Sequence, residues 1–359
     1  MTNAWSPQSW QGLTALQQPE YPDPGALEGV LARLRALPPL VGPGEVDRLR
    51  ALLSEAAQGK RFLLQGGDCA ERFRDCHGEA IADKLRILLR MSVVLTHAGR
   101  CPVVRVLRLA GQYAKPRSAG MEVIEGQELP VYRGDLINAL EATPEARRND
   151  PARMREAYFH AASTLNHLRA LIEDGFADLH HPERWDLPGR TGELPAYQDV
   201  IKEVRATLDF LEALGGVRPG ALERIELFTS HEALLLPFEA AMTRWIPERQ
   251  AWYNLSAGMV LVGERTRALD GAHLEFLRGL RNPLGVKLGP SAKPEDLPKL
   301  LELLDPNREP GRITLISRFG AESIRTALPP SSEPSKPRAT PCSGAATPCT
   351  ATPSKPRAG

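Results

Sequence analysis

Six short apolar runs, each cut off by glycine or by polar residues, limit what this chain can fold into. They are Phe62–Leu64 ahead of Gly66-Gly67, Pro102–Leu109, Arg224–Phe228, Met259–Val262, Leu284–Leu288 and Arg312–Ser317. Runs this short, rich in Val, Ile and Leu and closed by Gly, fit parallel strands buried on both faces. Parallel neighbours need a long crossover between them, and here the intervening stretches carry helical spacing. Ile81, Leu85, Leu88, Leu89 and Val93 fall on one helical face, as do Leu297, Leu300, Leu301 and Leu304.

Strands alternating with helices predict an α/β chain built as a (β/α)8 TIM-type barrel, with its site on the face where the strands end. Six strands are countable where such a barrel has eight, so about the last two are lacking. Residues 1–59 are predicted to form an N-terminal arm and helices. The arm (Trp5, Trp10, Gln17, Gln18, Tyr21) shows no period and is expected to lie on a surface, its own or that of a neighbouring subunit. Leu27, Val30, Leu31, Leu34 and Leu37 then mark a helix stopped by Pro38-Pro39. Residues 60–328 make the incomplete barrel, interrupted at about 120–220 by a helical insertion with two strongly periodic segments, around Tyr158–Leu168 and Tyr197–Leu211. From 329 to 359 there is no Val, Ile, Leu, Phe, Tyr, Trp or Met, and PSKPR occurs twice. Such a segment cannot bury enough apolar surface to offset ordering, which predicts a disordered Pro-rich tail.

Composition excludes several function classes. Lys+Arg 45 against Asp+Glu 44 leave no global field for nucleic acid or an anionic membrane. No apolar run approaches the ~18 residues that span a bilayer, and the N-terminus lacks the pattern of a secretory signal. Five irregularly spaced cysteines make no disulfide framework. A cytoplasmic protein is the expectation.

Chemistry-bearing residues gather where the predicted strands end. They are Asp68 with Cys69; Arg108 with Lys115 and Arg117; Glu264 with Arg265 and Arg267; Lys287; and Arg318. Each Arg alone fits a structural ion pair. Several cations on one barrel face repel one another unless an anion sits among them. Arg forks together with Lys point charges suit phosphate and carboxylate. Cys69 at a strand end is a candidate metal ligand or nucleophile, and an arbitrary Cys is more often a small buried core residue. His231 either orients Glu232 or is a hydrogen-bonded core histidine.

Seven blocks carry a more specific signal: LLQGGDCAERF, RLAGQYAKPRS, LPVYRGDLIN, LFTSHEALLLPFE, VGERTRALDGAH, GVKLGP and TLISRFGA. In order and spacing the chain resembles the plant-type (class II) 3-deoxy-D-arabino-heptulosonate-7-phosphate (DAHP) synthases. The resemblance covers roughly residues 5–328. It implies condensation of phosphoenolpyruvate with erythrose 4-phosphate and water to give DAHP and phosphate, the first step of the shikimate pathway to aromatic amino acids. It also implies a divalent metal (manganese, cobalt or similar), a homo-oligomer and feedback by aromatic amino acids. By the same resemblance Cys69 matches the metal-binding cysteine. Arg108, Lys115, Glu264, Arg265, Lys287 and Arg318 match the phosphoenolpyruvate pocket, with Arg108 and Lys115 as catalytic candidates. Arg117, Ser118 and Glu232 are assigned to the erythrose 4-phosphate side.

One departure stands out. The family's other metal ligands, a His, a Glu and an Asp, lie beyond the SRFGA block, and this sequence has no His beyond His273 and no Asp beyond Asp305. A catalytic site needs about three protein ligands. The expectation is a C-terminally truncated or frame-shifted member. Three functions follow from it: a DAHP synthase; an inactive chain or phosphoenolpyruvate-binding regulatory subunit; or a secondary-metabolite DAHP or aminoDAHP synthase.

Overall fold

The computed structural model describes residues 5–178, 185, 195–215, 225–320 and 343–346. Two helices open the chain, α1 (Pro24–Ala36) and α2 (Pro43–Ala57). Asp23 caps α1 by accepting from the backbone N–H groups of Gly25 and Ala26, and Pro24 stands at its first turn. Strand β1 (Phe62–Gly67), helix α3 (Gly78–Gly99) and strand β2 (Val103–Arg108) form the first βαβ unit.

The expected insertion holds a hairpin, β3 (Met121–Ile124) with β4 (Gln127–Pro130), and two long helices, α4 (Ala152–Glu173) and α5 (Pro195–Gly215). Then follow β5 (Leu227–Glu232), α6 (Leu236–Met242) and the hairpin β6 (Thr243–Ile246) and β7 (Ala251–Asn254). The last alternation is β8 (Met259–Val262), α7 (Ala272–Arg278), β9 (Leu284–Leu288), α8 (Asp296–Leu304) and β10 (Ile313–Ser317).

The six predicted strands pair in parallel, in the order β1-β2-β5-β8-β9-β10. The result is a mixed α/β fold around a curled parallel sheet. A further strand, β11 (Ser343–Ala346), pairs in parallel with β10 and also approaches β1. The rest of the segment expected to be a disordered tail lies outside the described residues, as do residues 179–184, with His180-His181 among them. Among the described residues, no helix is long and apolar enough to cross a membrane.

Side-chain alternation sorts the core into two layers. Val104, Val106, Phe228, Met259, Leu261 and Ile316 face inward and pack on Leu49, Leu52 and Leu53 of α2. Val260, Val262, Leu284 and Val286 face outward onto Leu274, Phe276 and Leu277 of α7 and Leu300 and Leu304 of α8. On the same outer side, α3 covers Leu64, Val103 and Leu107. Counting by twos from the inward residues puts Arg108, Glu232, Lys287 and Arg318 on the inner side at the strand ends.

Two strands depart from their sequence boundaries. The strand expected at 224–228 is β5 at Leu227–Glu232, so Thr229–Glu232 are strand residues instead of a loop. Their polar groups are buried but partly matched across the sheet, as where Gln65 Nε2 donates to Ser230 Oγ over 3.0 Å. β1 likewise continues through Gly66-Gly67. The N-terminal arm lies on its own chain: Trp5 Nε1 donates to the Glu275 carbonyl over 2.8 Å and Ala272 N to the Thr14 carbonyl over 3.1 Å.

Candidate active site

Gly67 and Arg108 end β1 and β2 as register partners. Gly67 has φ 132°, and a Cβ there would run into the Arg108 backbone, so only glycine fits. Past it the Asp68 carbonyl accepts from Arg108 Nε at 2.7 Å, while the Asp68 carboxylate pairs with Lys84 Nζ at 2.7 Å. Cys69 follows, exposed and unbridged. Among the described residues no group of three or more His, Cys, Asp or Glu side chains could hold a metal ion. The divalent metal implied by the resemblance therefore does not fit the residues around Cys69, whose neighbouring carboxylate is taken by Lys84.

The segment after β2 is held from within. Glu71, 1% exposed, accepts from three successive backbone N–H groups: Ala110 (2.9 Å), Gly111 (3.0 Å) and Gln112 (2.7 Å). Lys115 and Arg117 follow on this segment, both half-buried. Lys115 N donates to the Arg133 carbonyl at 2.8 Å. Arg117 Nε donates to the Tyr132 carbonyl at 2.6 Å, and the Arg117 backbone is held at both ends by the Gln17 amide. Ser118 Oγ accepts from Arg265 Nη2 at 2.9 Å, joining the segments after β2 and β8.

Deeper in, Lys287 Nζ on β9 meets Glu232 Oε2 on β5 at 2.5 Å, with side chains 11% and 3% exposed. The other Glu232 oxygen has no hydrogen-bond partner, and Gly263 leaves the space it occupies. Glu264 turns toward the helix side: it pairs with Arg267 and accepts from Gly289 N at 2.6 Å and from Ser291 Oγ. Burial would raise its pKa, but Arg267, Ser291 and the Gly289 N–H outweigh that and hold it below the ordinary carboxylate range. Arg318 is exposed, its backbone N–H bonded to the Leu288 carbonyl at 2.7 Å. Among the described residues, no hydrogen bond or ion pair reaches the side chains of Lys115 and Arg318.

The structure thus pairs Glu232 with Lys287 and Ser118 with Arg265, and among the described residues it leaves Lys115, Arg265 and Arg318 without a carboxylate. Cations in this state are a receptor for anions. Glu264 is committed to Arg267 and the β9 end, and among the described residues Cys69 belongs to no group of three or more side chains that could hold a metal ion. Sequence reasoning missed Glu71 and Gln112, whose partners are backbone groups. It also left His231 open. That imidazole is buried on the outer side of β5, with Nε2 2.8 Å from Glu239 Oε1.

The model of the Class-II DAHP synthetase family matches residues 5–340. A phospho-2-dehydro-3-deoxyheptonate aldolase of Neurospora crassa is 45% identical over 343 residues, covering 90% of this chain and 70% of the relative. The enzyme of that name from Streptomyces coelicolor is 47% identical over 323 residues, 89% of this chain and 72% of the relative. One from Mycolicibacterium smegmatis is 44% identical over 323 residues, 88% and 68% respectively. Identity at this level over most of both chains agrees with the parallel sheet and with the order of the strand-end blocks. The chain belongs to the class-II DAHP synthetase family.

Proposed function

We propose that the protein is a DAHP synthase, condensing phosphoenolpyruvate with erythrose 4-phosphate and water to give DAHP and inorganic phosphate, on a sheet that is the larger part of a (β/α)8 barrel. The observation that carries this reading is the set of cations at or beyond the strand ends, Arg108, Lys115, Arg265, Lys287 and Arg318, with the Glu232 carboxylate paired to Lys287. Phosphoenolpyruvate brings a phosphate and a carboxylate, and the Arg forks and Lys point charges suit both.

In the reaction, the methylene carbon of phosphoenolpyruvate forms a bond to the aldehyde carbon of the sugar phosphate. Water then adds at the carbon bearing phosphate, and the C–O bond to phosphate breaks. Arg108, Arg265 and Arg318 would hold the anionic groups through these charge shifts. Lys115, with no carboxylate partner among the described residues, would give a proton to the developing alkoxide. The Glu232 oxygen that lacks a partner is an acceptor for a proton from the attacking water, and Lys287 balances its charge. Arg117 and Ser118 fall to the sugar-phosphate side.

Two measurements test this. Calorimetric titration of the 359-residue protein with phosphoenolpyruvate should show saturable binding, and Lys287→Met should weaken it about tenfold, ~1.4 kcal/mol. Phosphate release should require both substrates. No binding of phosphoenolpyruvate would overturn the proposal. Binding without phosphate release, with manganese or cobalt added, would favour the second reading, a phosphoenolpyruvate-binding chain without turnover. The isolated Cys69 thiol is the observation behind that second reading.

A further inference from the structure

We propose that Glu71 and Gln112 are positioning residues of the anion site: Glu71 fixes the turn that carries Lys115 behind Arg108, and Gln112 fixes Glu232, the partner of Lys287. The inference rests on the phosphoenolpyruvate reading above and extends it to residues that touch no substrate.

The Glu71 carboxylate sits in a cradle of three consecutive N–H groups, those of Ala110, Gly111 and Gln112, and its own N–H donates to the Gln112 carbonyl at 2.8 Å. Successive N–H groups converge on one anion only when the chain adopts an unusual turn. Here Ala110 takes φ 64°, a conformation that costs a non-glycine residue about 1 kcal/mol or more. The carboxylate offsets that cost with charge-assisted bonds in a site closed to water. Without it, three donors, those of Ala110 and Gln112 buried, lose their acceptor, and the turn between Arg108 and Lys115 loses the anion it wraps. Burial raises the Glu71 pKa, with the three N–H groups opposing the rise.

Gln112 carries the constraint across the sheet. Its Oε1 accepts from Glu232 N at 2.9 Å and its Nε2 donates to the Ala114 carbonyl at 2.9 Å, so both ends of the buried amide are used. Glu232 in turn meets Lys287. One connected path therefore joins the segments after β1 and β2 to β5 and β9, and it ends on Lys287, one of the site's cations.

The test is phosphoenolpyruvate affinity, measured by calorimetry on the full chain well below each variant's unfolding midpoint. Glu71→Gln should weaken binding about tenfold and Gln112→Ala about threefold. Glu226→Gln, which removes a half-exposed pair with Arg48 at the opposite end of β5, should leave it unchanged. A purely structural role would lower the unfolding midpoint and leave the affinity alone, so affinities within about twofold of wild type for both folded variants overturn the inference. If Glu71→Gln does not fold, Gln112→Ala decides by itself. A wild-type chain that fails to bind overturns the functional reading and this inference with it, whereas binding by wild type and variants alike overturns only the inference.

Discussion

His231 shows how a buried residue keeps a charge. Burial alone would push its pKa down, but Glu239, 2.8 Å from Nε2, together with the Glu71 and Glu232 carboxylates outweighs it, and the folded value lies above the ordinary 6.5. Glu239 is itself satisfied: Asn254 Nδ2 donates to its second oxygen at 2.8 Å and Ser256 Oγ at 3.2 Å. For a base whose folded pKa is raised, the folded state binds the proton more tightly than the unfolded state. The stabilisation is complete below the unfolded value near 6.5 and is lost as pH rises through the folded value. Replacing His231 with Gln leaves Glu239 buried without its cation, at a cost of about 3 kcal/mol while the pair is charged. Denaturant unfolding of both proteins across pH should show their difference largest at mildly acidic pH and shrinking toward alkaline pH. A difference that does not vary with pH would mean that folding leaves the imidazole pKa unchanged, and one that grows toward alkaline pH would mean that the imidazole is buried neutral.

Among the elements, β1 makes the most specific demand on sequence. Gly67 sits in register with Arg108 at φ 132°, and a methyl group there meets the Arg108 backbone. Gly67→Ala should therefore cost about 3 kcal/mol, from backbone strain plus displacement of β2, visible as a lower urea midpoint at unchanged slope. A change under about 0.5 kcal/mol, the size of an ordinary surface substitution, would contradict the stated geometry. The six parallel strands were legible because each contains a short apolar run that needs no partner information, although in β1 only Leu64 is buried. The second half of β5 was not: Thr229–Glu232 read as loop, since what satisfies Ser230 is Gln65, 165 positions away. Helices α6 and α7 have seven residues each, too short for a helical period to register. The candidate site divides the same way. Its cations were legible because charge at a strand end is unusual, and the ion pair of Lys287 with Glu232 joins two residues already singled out. Glu71 and Gln112 were not, because they bind backbone groups, which leave no mark in the sequence.

Across the whole molecule the N-terminal arm ties together parts that the sheet alone does not join. Gln17 exchanges two hydrogen bonds with the Arg117 backbone, at 2.9 and 3.0 Å, on the segment after β2. Gln18, the next residue, accepts from Leu236 N at 3.1 Å and donates to the Leu234 carbonyl at 2.8 Å, at the start of α6. Further back, the Thr14 carbonyl and the Trp5 indole hold α7. Each amide replaces solvent bonds at a net gain of about 1 kcal/mol per bond, so either Gln→Ala change alone should cost about 2 kcal/mol. The two glutamines are neighbours on one short strip, and losing one latch lets the strip lift from the other. Gln17→Ala and Gln18→Ala combined should then cost less than the sum of the single changes, by about 0.5 kcal/mol or more. Additive costs would show two independent latches. A sub-additive result would mean that the arm detaches as one piece, and that the segment bearing Lys115 and Arg117 loosens together with the start of α6.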